Sequence, residues 1–65
     1  MSGSEMIRYM LAKRNMTIRA LAEGMGKNYR TFRNKLTLNN FSFDEMIEIA
    51  DYLNFDLQAI DRLEL

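Results

Sequence analysis

Apolar residues recur at three- and four-residue spacing along most of the chain, the period of amphipathic helices rather than of half-buried strands. Met6, Ile7, Met10 and Leu11 make a first apolar face, and Lys13 and Arg14 suit the negative end of a helix dipole, so the pattern predicts a helix over 5–14 with Ser4 as its N-cap. Asn15-Met16 interrupts the pattern. Thr17 then caps a second helix whose Ile18, Leu21, Ala22 and Met25 fall at i, i+3, i+4 and i+7. Gly24-Met25-Gly26 ends it, with Gly26 suited to the left-handed conformation of a C-terminal cap. Asn28 caps a third helix over about 29–37, with Phe32 and Leu36 one turn apart on its inner face.

Asn39-Asn40 reads as a loop, and Ser42-Phe43-Asp44-Glu45 as a capping box opening a fourth helix with Met46, Ile49, Ala50 and Leu53 inward. Asn54 stands in for a capping glycine, and Asp56 is expected to start a short fifth helix carrying Leu57 and Ile60. No proline, repeat or low-complexity linker interrupts the series. The expectation is an all-α, compact five-helix domain over 5–65, with residues 1–4 an appended leader.

Sixty-five residues hold one domain at most, and a chain of this size buries only ~60% of the surface that its unfolded form exposes. Cysteine and histidine are both missing, which removes disulfides, thiolate metal sites, ordinary zinc sites and the commonest general bases. The chain is therefore not expected to be an enzyme or to carry a cofactor or metal. Its short, charge-interrupted apolar runs predict a cytoplasmic protein without a membrane partner. The six methionines read as adaptable core filler.

Charge changes the picture. The net charge is zero, yet residues 1–43 sum to +6 and residues 44–65 to −6, and no acid stands between Gly24 and Phe43. One basic half and one acidic half give the domain an electrostatic direction, as a polyanion-binding surface requires.

The basic half contains the stretch TIRALAEGMGKNYRTFRNKL, from Thr17 to Leu36. Two helices crossing closely need a small residue where they touch, here Ala22; Gly26 supplies the turn; Leu21, Met25 and Phe32 close the core between them. Those are the physical requirements of a helix-turn-helix. With Leu21-Ala22, Gly26, the Asn28 cap, Phe32, Leu36 and Asn39-Asn40-Phe41-Ser42 leading into the fourth helix, residues 4–60 resemble the lambda-repressor-like (Cro/XRE-type) helix-turn-helix domains. The resemblance implies sequence-specific binding of double-stranded DNA, with the helix over about 29–37 in the major groove, as a transcriptional repressor or regulator.

It further implies that Tyr29, Arg30, Arg33 and Asn34 face the bases. Arginine presents two donors to guanine O6 and N7, so Arg30 and Arg33 are the base readers of choice, with solvated surface charge or phosphate contact alone as the alternative. Thr17, Lys27, Asn28, Lys35, Asn39 and Asn40 are the candidates for phosphate contact, with ordinary turn chemistry an equal reading for the two loop asparagines. Lys13, Arg14 and Arg19 are expected to add only to the field. Relatives dimerise on palindromic sites; for 65 residues a monomer and a weak homodimer on DNA both stay open, with Leu63 and Leu65 as a tail or a dimer edge.

Two positions depart from the family pattern. Ile18 stands where a polar phosphate-binding residue is frequent, and the third helix carries bulky and basic side chains in place of small polar ones. That density fits a redesigned recognition helix as well as a natural one of phage or bacterial type. Asp44, Glu45, Glu48 and Asp51 form an acidic stripe, read as a solvated face turned away from DNA. The rival function is a small helical protein–protein interaction module, for which Tyr29, Leu63 and Leu65 offer few apolar anchors.

Overall fold

The computed structural model describes residues 1–59 and Leu63. Four helices follow one another: α1 (Gly3–Lys13), α2 (Ile18–Gly24), α3 (Tyr29–Leu38) and α4 (Phe43–Tyr52). Among the described residues there is no strand, and no helix is long and apolar enough to cross a membrane.

Each helix begins on a side-chain oxygen that accepts a free first-turn amide: Ser2, Thr17, Asn28 and Ser42. The start of α1 differs from expectation. Ser2, not Ser4, is the cap, because Ser2 and Glu5 form the same reciprocal box as Ser42 and Glu45. Ser4 is instead buried within α1, where its hydroxyl donates to the Leu36 carbonyl at 2.5 Å and its amide to Asn39 Oδ1 at 2.9 Å. These two bonds clip the first turn of α1 to the end of α3.

The four helix ends share one geometry. Asn15, Gly26, Asn39 and Asn54 take left-handed backbone, with φ of 54°, 68°, 54° and 63°. In each case the next amide reaches back five residues: Met16 to Leu11, Lys27 to Ala22, Asn40 to Lys35 and Phe55 to Ala50, at 2.8–3.1 Å. Three of the four stops thus use asparagine, the side chain that tolerates this conformation best after glycine.

The core is one cluster: Ile7, Met10 and Leu11 from α1, Leu21 and Ala22 from α2, Phe32 and Leu36 from α3, Met46, Ile49 and Ala50 from α4, and Leu53 at its cap. Every residue in it comes from the periodicity of the sequence. Met6, Ile18 and Met25, expected on inner faces, are only partly buried against it. Phe41 meets Phe32 edge-on, with ring centroids 5.2 Å apart, and so ties the α3–α4 connection to the inner face of α3.

The expected fifth helix does not begin at Asp56. After Asn54 the chain runs through 55–59 without regular structure. Phe55 and Leu57 both pack on the core while Asp56 and Gln58 are exposed. That alternation of period two is incompatible with a helix, in which i and i+2 point to different sides. Ile60 and Leu65 lie outside the described residues.

Candidate nucleic-acid interface

The helix-turn-helix is built from α2, the four-residue turn 25–28 and α3, and α2 packs directly on α3. Leu21 and Ala22 are fully buried, so the small side chain sits where α2 enters the core. Gly26 takes its left-handed turn in open space, with nothing within 4 Å of where a Cβ would be; its conformation, not crowding, calls for glycine. Gly24 is the opposite case. Its backbone is ordinary, but an added Cβ would overlap the Tyr52 phenol, coming within 2.8 Å of its ζ carbon.

On α3, Phe32 and Leu36 face the core, which leaves Arg30, Arg33 and Asn34 exposed. Tyr29 is partly buried against the core. The ζ carbon of Arg19, from α2, lies 3.9 Å from the centre of its ring, and that of Arg33 5.7 Å. Both are within the ~6 Å reach of cation–π attraction. Arg19, expected only to strengthen the field, therefore joins the face formed by Tyr29 and Arg33. Sequence spacing carries no signal for that, because it depends on how α2 crosses α3.

The six candidates for phosphate contact occupy different situations. Thr17 Oγ1 accepts from the Ala20 amide at 3.0 Å, and Asn28 Oδ1 accepts from the Thr31 amide at 3.0 Å and from the Thr31 hydroxyl at 3.3 Å. Capping thus uses their acceptors and leaves the Thr17 hydroxyl proton and the Asn28 NH2 group as donors on exposed residues. Asn39 caps α3 and its Oδ1 accepts from the Ser4 amide, which leaves its NH2 group as a donor on an exposed residue, and Asn40 is exposed as well.

Lys27 and Lys35 are paired with α4. Lys27 Nζ is 3.3 Å from Glu48 Oε1, and Lys35 donates to Glu45 Oε2. Hydrogen bonds from Lys35 and then from the Ser42 amide hold the Glu45 carboxyl below the ordinary carboxylate range. The acidic stripe of α4 is accordingly not a wholly solvated face, since half of it neutralises the lysines of the motif. These are the only ion pairs among the described residues, and neither includes an arginine.

Arg14 is committed elsewhere. Its Nε donates to the Leu53 carbonyl at 2.8 Å and its Nη2 to the Asn54 carbonyl at 3.2 Å, and its guanidinium lies 4.1 Å from the centre of the Phe55 ring. It closes the C-terminal end of α4 and belongs to the architecture. The basic residues of the motif without a carboxylate partner among the described residues are then Arg19, Arg30 and Arg33.

A family model described as the Cro/C1-type HTH DNA-binding domain matches residues 6–60, a span that takes in all of α2, α3 and α4. No match was found among curated proteins or among solved structures.

Proposed function

The chain belongs to the Cro/C1-type helix-turn-helix DNA-binding domains, and from that membership we propose that it reads double-stranded DNA sequence-specifically, with α3 in the major groove. The observation that carries this reading is the composition of the outer face of α3: Arg30, Arg33 and Asn34 are exposed, and neither arginine is neutralised by a carboxylate of the described residues. A helix that buries Phe32 and Leu36 can present those side chains to base edges while its inner face stays in the core.

In this pose Arg30 and Arg33 read guanine, each bidentate contact discriminating by ~1–3 kcal/mol against the wrong base. Asn34 completes the base-facing set, and Tyr29 borders it through its ring. Thr17, Asn28, Asn39 and Asn40 offer neutral donors to phosphates, and Lys27 and Lys35 offer charged ones once they exchange their glutamates for the DNA backbone. The biological role that follows is a transcriptional repressor or regulator, acting as a monomer or as a weak homodimer formed on DNA.

The test is selection from a randomised duplex pool, followed by fluorescence-anisotropy titration of the parent and of Arg30→Ala/Arg33→Ala at two salt concentrations. The parent is expected to enrich a guanine-containing site. The double variant is expected to lose that preference while keeping weak, salt-sensitive binding. If neither protein binds duplex DNA at low salt, the reading is wrong and a protein partner becomes the better account.

A further inference from the structure

We propose that Tyr29 is a positioning residue whose ring holds the guanidiniums of Arg19 and Arg33 as one preorganised pair, and that Arg19 is a DNA-contacting residue of this domain. The inference rests on the DNA-binding reading and adds to it a residue, Arg19, that the spacing of the sequence leaves among the background charges.

The geometry starts from where the three side chains are anchored. Tyr29 is the first residue of α3 and is partly buried against the core, so its ring has a fixed seat. Arg33 lies one turn further along the same helix, and Arg19 comes from the first turn of α2. Their ζ carbons stand 5.7 Å and 3.9 Å from the ring centre.

Arg19 has a competing partner close by: Glu23 sits four residues later on α2, at the spacing that ordinarily forms a helical ion pair. That pair is not made. Arg19 lies over the aromatic ring instead and keeps its charge uncompensated. The lysines of the motif are in the opposite condition, both neutralised by α4. The motif thus separates its cations into lysines held by carboxylates and arginines left for an external anion.

Stacking leaves the edge of a guanidinium free while occupying its face. The edge carries the N–H donors, so an arginine lying on Tyr29 can still donate in its plane to a phosphate or to a guanine. Restricting two long side chains before binding reduces the ordering cost at the moment of contact. With Arg33 on the base-reading face of α3 and Arg19 on the flanking helix, the pair suits one base contact and one neighbouring phosphate. Tyr29 then acts through its ring, and its hydroxyl is dispensable.

The experiment compares Tyr29→Leu, Tyr29→Phe, Arg19→Ala and Arg19→Ala/Tyr29→Leu with the parent on the selected duplex, over a salt series, with thermal melting to establish that each variant is folded. Leucine keeps apolar bulk against the core and removes the π face; phenylalanine restores the face without the hydroxyl. Tyr29→Leu is expected to weaken binding about five- to ten-fold, the scale of losing one or two exposed cation–π contacts. Tyr29→Phe is expected to recover binding to within about two-fold of the parent, the ring supplying all of the effect. Arg19→Ala should lower the slope of log affinity against log salt by about one phosphate contact. The double variant should be little worse than the weaker single one.

In the free protein, side-chain NMR of Arg19 should show ring-current shifts of the δ protons that survive in Tyr29→Phe and vanish in Tyr29→Leu. Binding unchanged in Tyr29→Leu would overturn the positioning role. A loss in Tyr29→Phe equal to that in Tyr29→Leu would assign the work to the phenol and overturn it as well. An unchanged salt slope in Arg19→Ala would remove Arg19 from the interface. Failure of the parent to bind any duplex is a different result, and it would overturn the DNA reading on which this one rests.

Discussion

Gly24 and Gly26 stand two residues apart and are glycine for different reasons, which makes them separable by substitution. Gly26 has φ +68° and open space around it. Gly26→Ala is therefore expected to cost about 1–2 kcal/mol through left-handed backbone alone, irrespective of any neighbour. Gly24 has unstrained backbone and a phenol in the way. Tyr52 is about half exposed (46%) and can swing aside, so Gly24→Ala should lose mainly the contact that Tyr52 makes. In a Tyr52→Ala background Gly24→Ala should become neutral or stabilising, by up to about 1 kcal/mol, because glycine disfavours helix. Urea denaturation of the parent, Tyr52→Ala and each glycine variant in both backgrounds checks this; a Gly26→Ala penalty that also depended on Tyr52 would refute the distinction. Gly26 was readable from its place after a helical pattern, while the closeness of Gly24 to Tyr52 was not, since the two residues are 28 positions apart.

Among the helices, the ends are specified locally and the joints between them are not. Caps at Ser2, Thr17, Asn28 and Ser42 and stops at Asn15, Gly26, Asn39 and Asn54 each act within six residues, and most are visible as sequence signals. Four long-range bonds then join elements: Ser4 to Leu36, Ser4 to Asn39, Arg14 to Leu53 and Arg14 to Asn54. Arg14 makes the clearest prediction at this scale. Arg14→Ala should lower stability by roughly 1–3 kcal/mol, as expected for charged donors to backbone carbonyls plus a cation–π contact. It should leave the affinity of the folded protein for its duplex unchanged. Thermal melts paired with anisotropy titrations would show it, and a changed salt slope with unchanged melting would instead place Arg14 at the DNA.

Across the whole molecule the zero net charge is an arrangement rather than an absence of field. The basic half of the chain and its acidic half meet where Glu48 faces Lys27 and Glu45 faces Lys35. The Lys27–Glu48 pair is well exposed, with side chains 42% and 54% accessible, so it stabilises the fold little. Glu48→Gln is expected to leave the melting temperature nearly unchanged, raise duplex affinity several-fold at low salt and steepen the salt slope toward one further phosphate contact. An affinity insensitive to this substitution would mean that Lys27 does not reach the DNA. If Lys27 and Lys35 contact phosphates as proposed, each must first leave a carboxylate, which would moderate non-specific binding.

The sequence by itself determined the four helices, most of their caps and stops, every member of the buried core and the place of the helix-turn-helix. All of these follow from side-chain chemistry acting within a few residues or from a period that the chain repeats. The Ser2–Glu5 box was equally legible, in the same S-x-x-E spacing as Ser42–Glu45, but the buried role of Ser4 was not. Tertiary structure alone decided that 56–59 would not form a helix, since the core accepts Phe55 and Leu57, two residues apart, from a segment without regular structure. It also decided which cations remain available. Lysine and arginine look alike along the chain, and only the packing of α4 and α2 against α3 gives Lys27 and Lys35 to glutamates, Arg14 to a helix end and Arg19 to the ring of Tyr29. Those choices depend on distances between residues remote in sequence, which periodicity and capping do not encode.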